Sequence, residues 1–375
     1  MSINLVTKEY VDEKLLTFFP TSTWSDVQKV VKAGFGKIKF PVGTQFTTKH
    51  DSYGDIVWDV VAHDHFKQTS DPTAHTMTLQ THNCVTSMTF DSIQAWYCSN
   101  TDLPAGTYHF TCNRQPWVAS DKGKTFQFTT TQVLEAGQQL FLNGEHTATY
   151  TGKTLTAYSG PSSTTALWSV TISEGSEGTD LGSDDGSSTD INIYERAALG
   201  SNNYKQSGIR SWLNSDSNTL GGWWTAQTKF DRVYGQNVKS FLTGLPTDFK
   251  NTLTTVTIPC STNNVYETVN SDTPINSKYT LNDTLYLLSQ KELNGGTSTI
   301  IPDDSSVLEF YKNATNTNRI KYLSAVAKIW CTRSPSTGRT CSVKVVNAAG
   351  GIVYNYANYN YAKNSFGVAP ACTIG

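Results

Sequence analysis

The feature that most limits what this chain can fold into is the rhythm of its apolar residues. From Lys37 onward they alternate with polar ones in short runs, each closed by Gly, Pro, Asn or Asp. A period of two over a few residues is the signature of a half-buried strand. The runs Ile38-Lys39-Phe40, Gly43-Thr44-Gln45-Phe46, Asp55 to Ala62 and Thr76 to Thr81 therefore predict paired strands, with a short helical piece at Ser92 to Tyr97. Between Leu103 and Ser173 come Thr107 to Cys112, Thr125 to Thr129, Gln139 to Leu142 and Trp168 to Ile172, with no helical pattern between them. That spacing predicts a small antiparallel β-sandwich. Gly175 to Thr189, rich in Gly, Ser and Asp, reads as a linker or long loop.

Helical periodicity is confined to a few places. Val6 to Leu16 has apolar residues at helical spacing and is stopped by Pro20; Ser25 to Ala33 is a second helix, ended by Gly34, with Val27, Val30 and Val31 as its stripe. Helices this short are marginal in water alone and require a partner surface, either their own domain or another subunit. After Asp190 the spacing predicts helices over 206–214, with Ile209, Trp212 and Leu213 inward, and over 247–253, capped by Thr247. Leu285 to Ser289 reads as a buried strand, and Lys328 to Cys331, Gly351 to Tyr354 and Val368 to Ala371 as further short strands.

Only 16% of the residues are charged, against roughly 25% in an average soluble domain, which excludes a highly charged disordered chain. No apolar run is long enough to cross a bilayer, and the N-terminus lacks the pattern of an ordinary secretion signal, so no membrane insertion is expected. The seven cysteines show no CxxC spacing and their number is odd, which favours reduced, buried thiols. His63-Asp64-His65 puts two imidazoles on one strand face, yet hydrogen-bonded polar residues at a strand end are the better reading; no metal and no cofactor are expected.

Five blocks carry a family resemblance. They are Gly200-Ser201-Asn202-Asn203-Tyr204, Ser207-Gly208-Ile209-Arg210-Ser211-Trp212-Leu213-Asn214, Asp283-Thr284-Leu285-Tyr286-Leu287-Leu288-Ser289, Trp330-Cys331-Thr332-Arg333-Ser334-Pro335 and Phe366-Gly367-Val368-Ala369-Pro370-Ala371. In this order the chain resembles a domain family common in phages and prophages of gut bacteria. Its usual pattern is an Arg-x-Trp-Leu-Asn helix, a Leu-Leu-Ser strand, a Trp-Leu-Arg-Ser-Pro strand and a terminal Gly-Val-x-Pro-Ala. The chain departs at Cys331, where Leu is usual, and at Ala369, where Arg is usual. The strands at Ile56 to Val61 and Met77 to Gln80 also match the family's opening hairpin.

The resemblance implies a C-type-lectin-like fold, shared with formylglycine-generating enzymes and with phage receptor-binding proteins diversified by retroelements. Residues 100–189 then form an insertion. The expected fold class is α+β and β-rich: a short helical anchoring or oligomerising segment (1–35), a lectin-like domain in two parts (36–99 and 190–375) and an inserted antiparallel β-sandwich (100–189). Thr7 to Asp12 is also similar to segments that start many phage fibre and appendage proteins.

Catalysis is disfavoured by the residues themselves. No Gly-x-Ser-x-Gly elbow, His-Glu-x-x-His helix or phosphate loop occurs, and Asp184-Asp185 and Asp303-Asp304 lie in turn-forming sequence. The cysteine pair that a formylglycine-generating enzyme uses to bind copper has no counterpart in Cys331, Cys341 and Cys372. The chain is not expected to be an enzyme.

Binding has a concrete feature. Tyr354, Asn355, Tyr356, Asn358, Tyr359, Asn360, Tyr361 and Asn364 crowd one tract, and Tyr, Asn and Ser are what recognition surfaces use: large contact area, little rotamer entropy, adaptable hydrogen bonds. A tyrosine ladder within a sheet is the alternative. In the resembling diversified proteins the variable positions occupy this stretch. Charge points to the same end: Phe310 to Gly375 holds eight Lys or Arg and no acidic residue, net +8, while the remainder has 21 basic against 31 acidic, net −10. Attraction to anionic surface polymers, or neutralisation against the acidic part of the chain, ranks above nucleic acid.

The expected binding face is therefore this tract with Trp330, Arg333 and Arg339. The expected protein is a phage virion protein, of fibre or decoration type, made in the bacterial cytoplasm. It would dock to capsid or tail proteins, or form a homo-oligomer (a trimer favoured), through residues 1–35, and adhere to a host-surface glycan or protein. A purely architectural capsid-decoration or head-fibre subunit is the alternative, and a glycan-acting enzyme the third.

Overall fold

A chain whose final residues alternate as Ala371-Cys372-Thr373-Ile374 needs a neighbouring strand, and it finds one near the other end of the sequence. Ala371–Ile374 pairs antiparallel with Met77–Thr81, Ala371 opposite Gln80 and Ile374 opposite Met77. Met77–Thr81 is buried along its whole length and also pairs with Gly54–His63, which forms a hairpin with Gln45–His50. Leu285–Tyr286 completes a five-stranded antiparallel sheet in the order 45–50, 54–63, 77–81, 371–374, 285–286. The structure is a computed structural model, and it describes residues 22–98, 101–112, 119–143, 149–161, 163–183, 199–227, 230–232, 236–264, 275–295, 305–336, 341–353 and 360–375.

A second five-stranded sheet runs in the order Ile352–Val353, Val343–Val346, Trp330–Pro335, Ser365–Val368 and Thr86–Thr89. Its pairs are antiparallel apart from a parallel contact of Trp330 with Gly367. Ile275–Asp283, Val256–Asn264 and Lys67–Gln68 make a three-stranded sheet. One core spans these sheets, from Val27 to Ile374, with Trp58, Trp212, Tyr286 and Trp330 fully buried within it. Cys331 and Ala369, where the chain departs from the family pattern, are both interior, so both departures are matters of packing.

Helix α1 (Trp24–Lys32) starts where Thr23 accepts a hydrogen bond from the Asp26 amide, and Gly34, at φ 81°, follows its end. The stripe Val27, Val30 and Val31 faces the body of the protein, the Trp24 ring packs tilted against Phe249 with centroids 4.4 Å apart, and Gln28 Nε2 donates to the Gly375 carbonyl at 2.7 Å. This part of the expected anchoring segment is therefore bound to its own domain. The preceding helix, expected at Val6 to Leu16, lies outside the described residues.

Residues 97–183 hold the sandwich. One sheet runs Ala166–Thr171, Thr154–Tyr158, Gln139–Asn143, Tyr97–Cys98; the other runs Ser173–Glu174, Thr125–Thr130, Gly106–Thr111, Thr179–Ser183. Between them lies a core separate from the first, built on Trp96, Tyr108, Phe110, Phe126, Phe128, Leu140 and Leu155. Its strands pair antiparallel except that Thr179–Ser183 lies parallel to Gly106–Thr111.

Several expectations are corrected. Ile38 to Phe40 is not a strand: Gly36–Lys39 forms one helical turn (α2), which buries Phe40 and leaves Ile38 outside. Ser92 to Tyr97 is not helical; Gln94 bridges to Asp231 and the segment runs into Tyr97–Cys98, because Trp96 and Tyr97 are claimed by the sandwich core. Gly175 to Ser183 is not a linker, since it supplies an edge strand, and Gly178 at φ 80° passes so close to the Thr107 carbonyl that a Cβ would collide. Two further helices are α3 (Gly208–Asn214), capped by Ser207, and α4 (Thr247–Lys250), a single turn whose cap is Pro246 rather than Thr247. Only Leu285–Tyr286 of the predicted 285–289 strand joins a ladder.

The sandwich is pinned to the body by Arg232. Its guanidinium lies 4.1 Å from the Tyr158 ring and donates to the carbonyls of Ser163 (2.6 Å) and Gly160 (3.1 Å). Gln94 Nε2 donates to Asp231 Oδ1 at 2.6 Å, and Gln139 Nε2 to the Asp231 carbonyl at 2.9 Å. Two cores joined through such a polar seam predict two unfolding steps. Phe110→Ala removes a ring packed on Trp96, Phe126 and Tyr150 and should destabilise the sandwich by about 3–5 kcal/mol. In a urea titration followed by tryptophan fluorescence, one transition should move to lower urea while the other stays in place.

Candidate binding site

The family-like blocks converge in space. Asn214 on α3 uses all of its amide: Nδ2 donates to the carbonyls of Arg210 (3.2 Å) and Leu285 (2.8 Å), and Oδ1 accepts from the amides of Thr284 (3.1 Å) and Leu285 (3.0 Å). Arg210, one turn earlier, grips Asp283 through Nε (2.9 Å) and Nη2 (2.6 Å). Asp91 accepts from the amides of Ser201 (3.0 Å) and Gly208 (3.2 Å), tying the first block to the start of α3. Burial, and then the nearby Asp231, hold the Asp91 carboxyl well above the usual carboxylate range.

Arg333 lies deeper. Nη1 donates to Glu292 Oε2 (2.6 Å) and to the Leu287 carbonyl (2.7 Å), Nη2 donates to Glu292 Oε1, and Nε reaches the Pro259 carbonyl (3.1 Å). Both side chains of the pair are at most 1% exposed. Trp330 is equally interior, its indole N–H donating to the Arg319 carbonyl at 3.0 Å. Trp330 and Arg333, expected on a binding face, are corrected by this burial: they hold the sheet that would carry such a face.

The basic excess of the C-terminal end is likewise partly internal. Arg319, Lys321, Arg333 and Lys344, half of its eight cations, are buried. Arg319 donates to the carbonyls of Leu293 (2.8 Å), Asn294 (3.2 Å) and Gly350 (3.3 Å). Lys321 Nζ donates to the carbonyls of Thr81 (2.5 Å) and His82 (3.1 Å) and lies 5.6 Å from the Trp330 ring centroid. Burial pushes the Lys321 and Lys344 ammonium groups down to about 8.

Of the Tyr/Asn tract, Arg339, Tyr354, Asn355, Tyr356, Asn358 and Tyr359 lie outside the described residues. Asn360 and Tyr361 are buried and Asn364 is half-buried. Before the tract, Val353 pairs with Val345; after it, the Val343 amide donates to the Asn360 carbonyl at 2.9 Å and Tyr361 bridges to Ser342. Both flanks are thus fixed to one stretch of chain, 342–346, which is itself buried. Asn360 and Tyr361 belong to this support rather than to an exposed face.

A site that the sequence reading did not single out is a surface cleft of about 220 Å³ lined by Arg210, Ser211, Asn214, Ser215 and Trp223. The indole N–H of Trp223 donates to the Val238 carbonyl at 2.7 Å, so the ring is fixed. Of its lining, Arg210 is held by Asp283, Asn214 by Leu285 and Thr284, and Trp223 is buried, so the cleft offers mainly the side chains of Ser211 and Ser215. The available signal was α3 itself, since Ile209, Trp212 and Leu213 face the core and leave Arg210, Ser211 and Asn214 on the opposite face.

Three of the histidines are held by nearby oxygen atoms. His63 Nε2 is 2.9 Å from the Phe40 carbonyl, His75 Nδ1 3.2 Å from Asp64, and His82 Nδ1 2.9 Å from Asp59. No group of three His, Cys, Asp or Glu is placed to hold a metal among the described residues. All seven cysteines are buried thiols outside any disulfide, and burial raises the Cys84 thiol to about 11 and Cys260 to about 12.

Two measurements check this assignment of interior roles. Arg333→Ala leaves Glu292 buried without its cation and should cost about 3–5 kcal/mol in chemical denaturation, whereas Arg333→Met combined with Glu292→Leu should recover most of the loss. The second concerns Lys321, whose value is about 8 when folded and 10.5 ordinarily. Between these the unfolded chain binds more protons, so this group adds stability as pH rises through the window. Stability measured from pH 8 to 10.5 should therefore shift in favour of wild type over Lys321→Met, by about 3 kcal/mol for a full shift of this size.

Comparison with curated proteins gives no match, and comparison with solved structures gives none. Residues 176–375, more than half of the chain, match the family described as a domain of unknown function, DUF6273. The matched region begins just before the last sandwich strand and contains every block from Gly200 to the C-terminal strand, including the Arg210–Asp283 and Arg333–Glu292 pairs. The chain belongs to the DUF6273 family.

Proposed function

We propose that this chain is a non-enzymatic virion protein of a bacteriophage, of fibre or decoration type, that displays a C-type-lectin-like domain for adhesion to a host surface. The observation that carries the reading is the setting of residues 354–359. Three tyrosines and two asparagines lie in six positions, and the residues on either side are anchored to the same buried strand, Val343–Val346. A variable recognition segment needs a rigid support that does not depend on its own sequence. Here the support is provided by Arg333, Glu292 and the apolar core. Pairing of the last strand, Ala371–Ile374, with the opening strands supports the lectin-like reading, as does the return of Ser365–Val368 against Thr86–Thr89.

In this reading the partners are a host-surface glycan or protein at the tract, and capsid or tail proteins or further copies at residues 1–21, because α1 is engaged with the body. The architectural alternative, a head-fibre or capsid-decoration subunit without a ligand, is favoured by the interior placement of Trp330, Arg333, Asn360 and Tyr361. Changing Tyr354, Tyr356 and Tyr359 together to Ser, and leaving Tyr361 untouched, separates the two. Adhesion requires that the labelled variant lose binding to intact host cells while its thermal midpoint stays at the wild-type value. Equal cell binding by variant and wild type would sink the recognition role of the tract.

A further inference from the structure

Sheet edges are where unpaired backbone groups invite another chain, and natural proteins guard them with charge, proline, brevity or cover. Most edges here are guarded. Tyr97–Cys98, Ser173–Glu174, Leu285–Tyr286, Lys67–Gln68 and Ile352–Val353 are two residues long, and Thr86–Thr89 is four. The longer edges Gln45–His50, Thr179–Ser183 and Ile275–Asp283 carry Lys49, Asp180 and Lys278. The exception among the described residues is Ala166–Thr171, six residues at the edge of a sandwich sheet, with one side paired to Thr154–Tyr158 and no strand on the other. From Thr154 to Ser173 the hairpin contains no Asp, Glu, Lys or Arg. Trp168 and Val170 lean on the sandwich core, while Ala166, Leu167, Ser169 and Thr171 are exposed, Leu167 by 43%.

We propose that this edge is an interface between copies of the chain: Ala166–Thr171 pairs antiparallel with the same strand of a second copy, joining two four-stranded sheets into one of eight. The choice of a second copy follows from the strand's own pattern. An antiparallel pair related by a two-fold axis sets the segment against itself, so any net charge it carried would face the same net charge. This segment has none. In a register centred on Ser169, Trp168 lies opposite Val170 on the core side and Leu167 opposite Thr171 on the outer side. Apolar side chains thus continue the core across the seam, with the aromatic and β-branched pairing that sheets prefer. The interface is distinct from residues 1–35 and holds whether or not the 354–359 tract binds a host.

Cysteine cross-linking on the full-length chain tests it. Directly opposed strand residues have Cβ atoms about 4.5–5.5 Å apart, close to disulfide range, and the native cysteines are all buried. Leu167→Cys, Ser169→Cys and Thr171→Cys are made singly, with Thr164→Cys, exposed and ahead of the strand, as control. Under mild oxidation at least one strand variant should give a reductant-sensitive dimer well above the control. That dimer should be lost when exposed neighbours on the same strand are changed to Lys, with folding verified by an unchanged thermal midpoint. No dimer above control from any of the three, or a dimer indifferent to the lysines, overturns the proposal. A monomeric purified chain would leave the edge to a different protein and would overturn it equally.

Discussion

The ion pair of Arg333 with Glu292 is the interaction on which the rest of the body depends. Removing two charges from water is expensive, and their attraction offsets the cost only when the remaining donors and acceptors are also satisfied. Here they are. Glu292 also accepts from the Ser289 amide at 2.8 Å, and Arg333 donates to the carbonyls of Leu287 and Pro259. Three segments distant in sequence are thereby fixed around one guanidinium: Trp330–Pro335, Val256–Asn264, and the stretch that runs from Leu285–Tyr286 through Leu287 to Glu292. The first belongs to the second sheet, the second to the three-stranded sheet, and Leu285–Tyr286 borders the sheet that holds the C-terminal strand. A planar cation with donors along three edges can set the relative position of three sheets; an apolar side chain of equal volume could fill the space without choosing an orientation.

The same logic governs the other buried cations. Arg319 and Lys321 point at carbonyls that no ladder satisfies: those of Leu293, Asn294 and Gly350 for one, those of Thr81 and His82 for the other. Irregular backbone in a protein this poor in helix leaves many such carbonyls inside, and each is costly without a donor. Basic side chains supply several donors on a long apolar stem, which suits them to the task. The charge asymmetry of +8 against −10 is in part a record of this internal use.

This also explains what was legible in the residues and what was not. Alternation located Gly54–His63 and Met77–Thr81, the latter buried along its whole length, and also Gln45–His50 and most of the sandwich, where one face lies on a core and one toward water so that pattern and burial coincide. Ser207 as cap and Ile209, Trp212 and Leu213 as stripe located α3 for the same reason. The failures lie where tertiary contacts outweigh local pattern. Trp96 and Tyr97 become sandwich core instead of a helix face, and Gly178 lets a Ser- and Asp-rich segment close against Thr107. At the candidate site, Arg333 reads as a surface residue because arginine usually is one. Its burial was foreshadowed only by Glu292, a lone carboxylate shortly after the apolar block Leu285 to Leu288. Asn360 and Tyr361 differ from their neighbours in the sequence in no local respect, and their burial rests on contact with Val343 and Ser342, which no short window of sequence contains.

Separating support from display has a consequence for how such a surface can change. Among the described residues, both flanks of 354–359 are fixed to the same stretch: Val353 pairs with Val345, the Val343 amide donates to the Asn360 carbonyl, and Tyr361 bridges to Ser342. A segment whose flanks are anchored twice to one buried strand can exchange side chains at small cost to folding, because most destabilising substitutions act through cavities, unpaired buried groups or strained backbone. Tolerance of this kind is the physical precondition for a recognition tract that varies among otherwise similar chains. On the proposed reading, the anchoring of Val353 and Asn360 to Val343–Val346 is the feature that meets it.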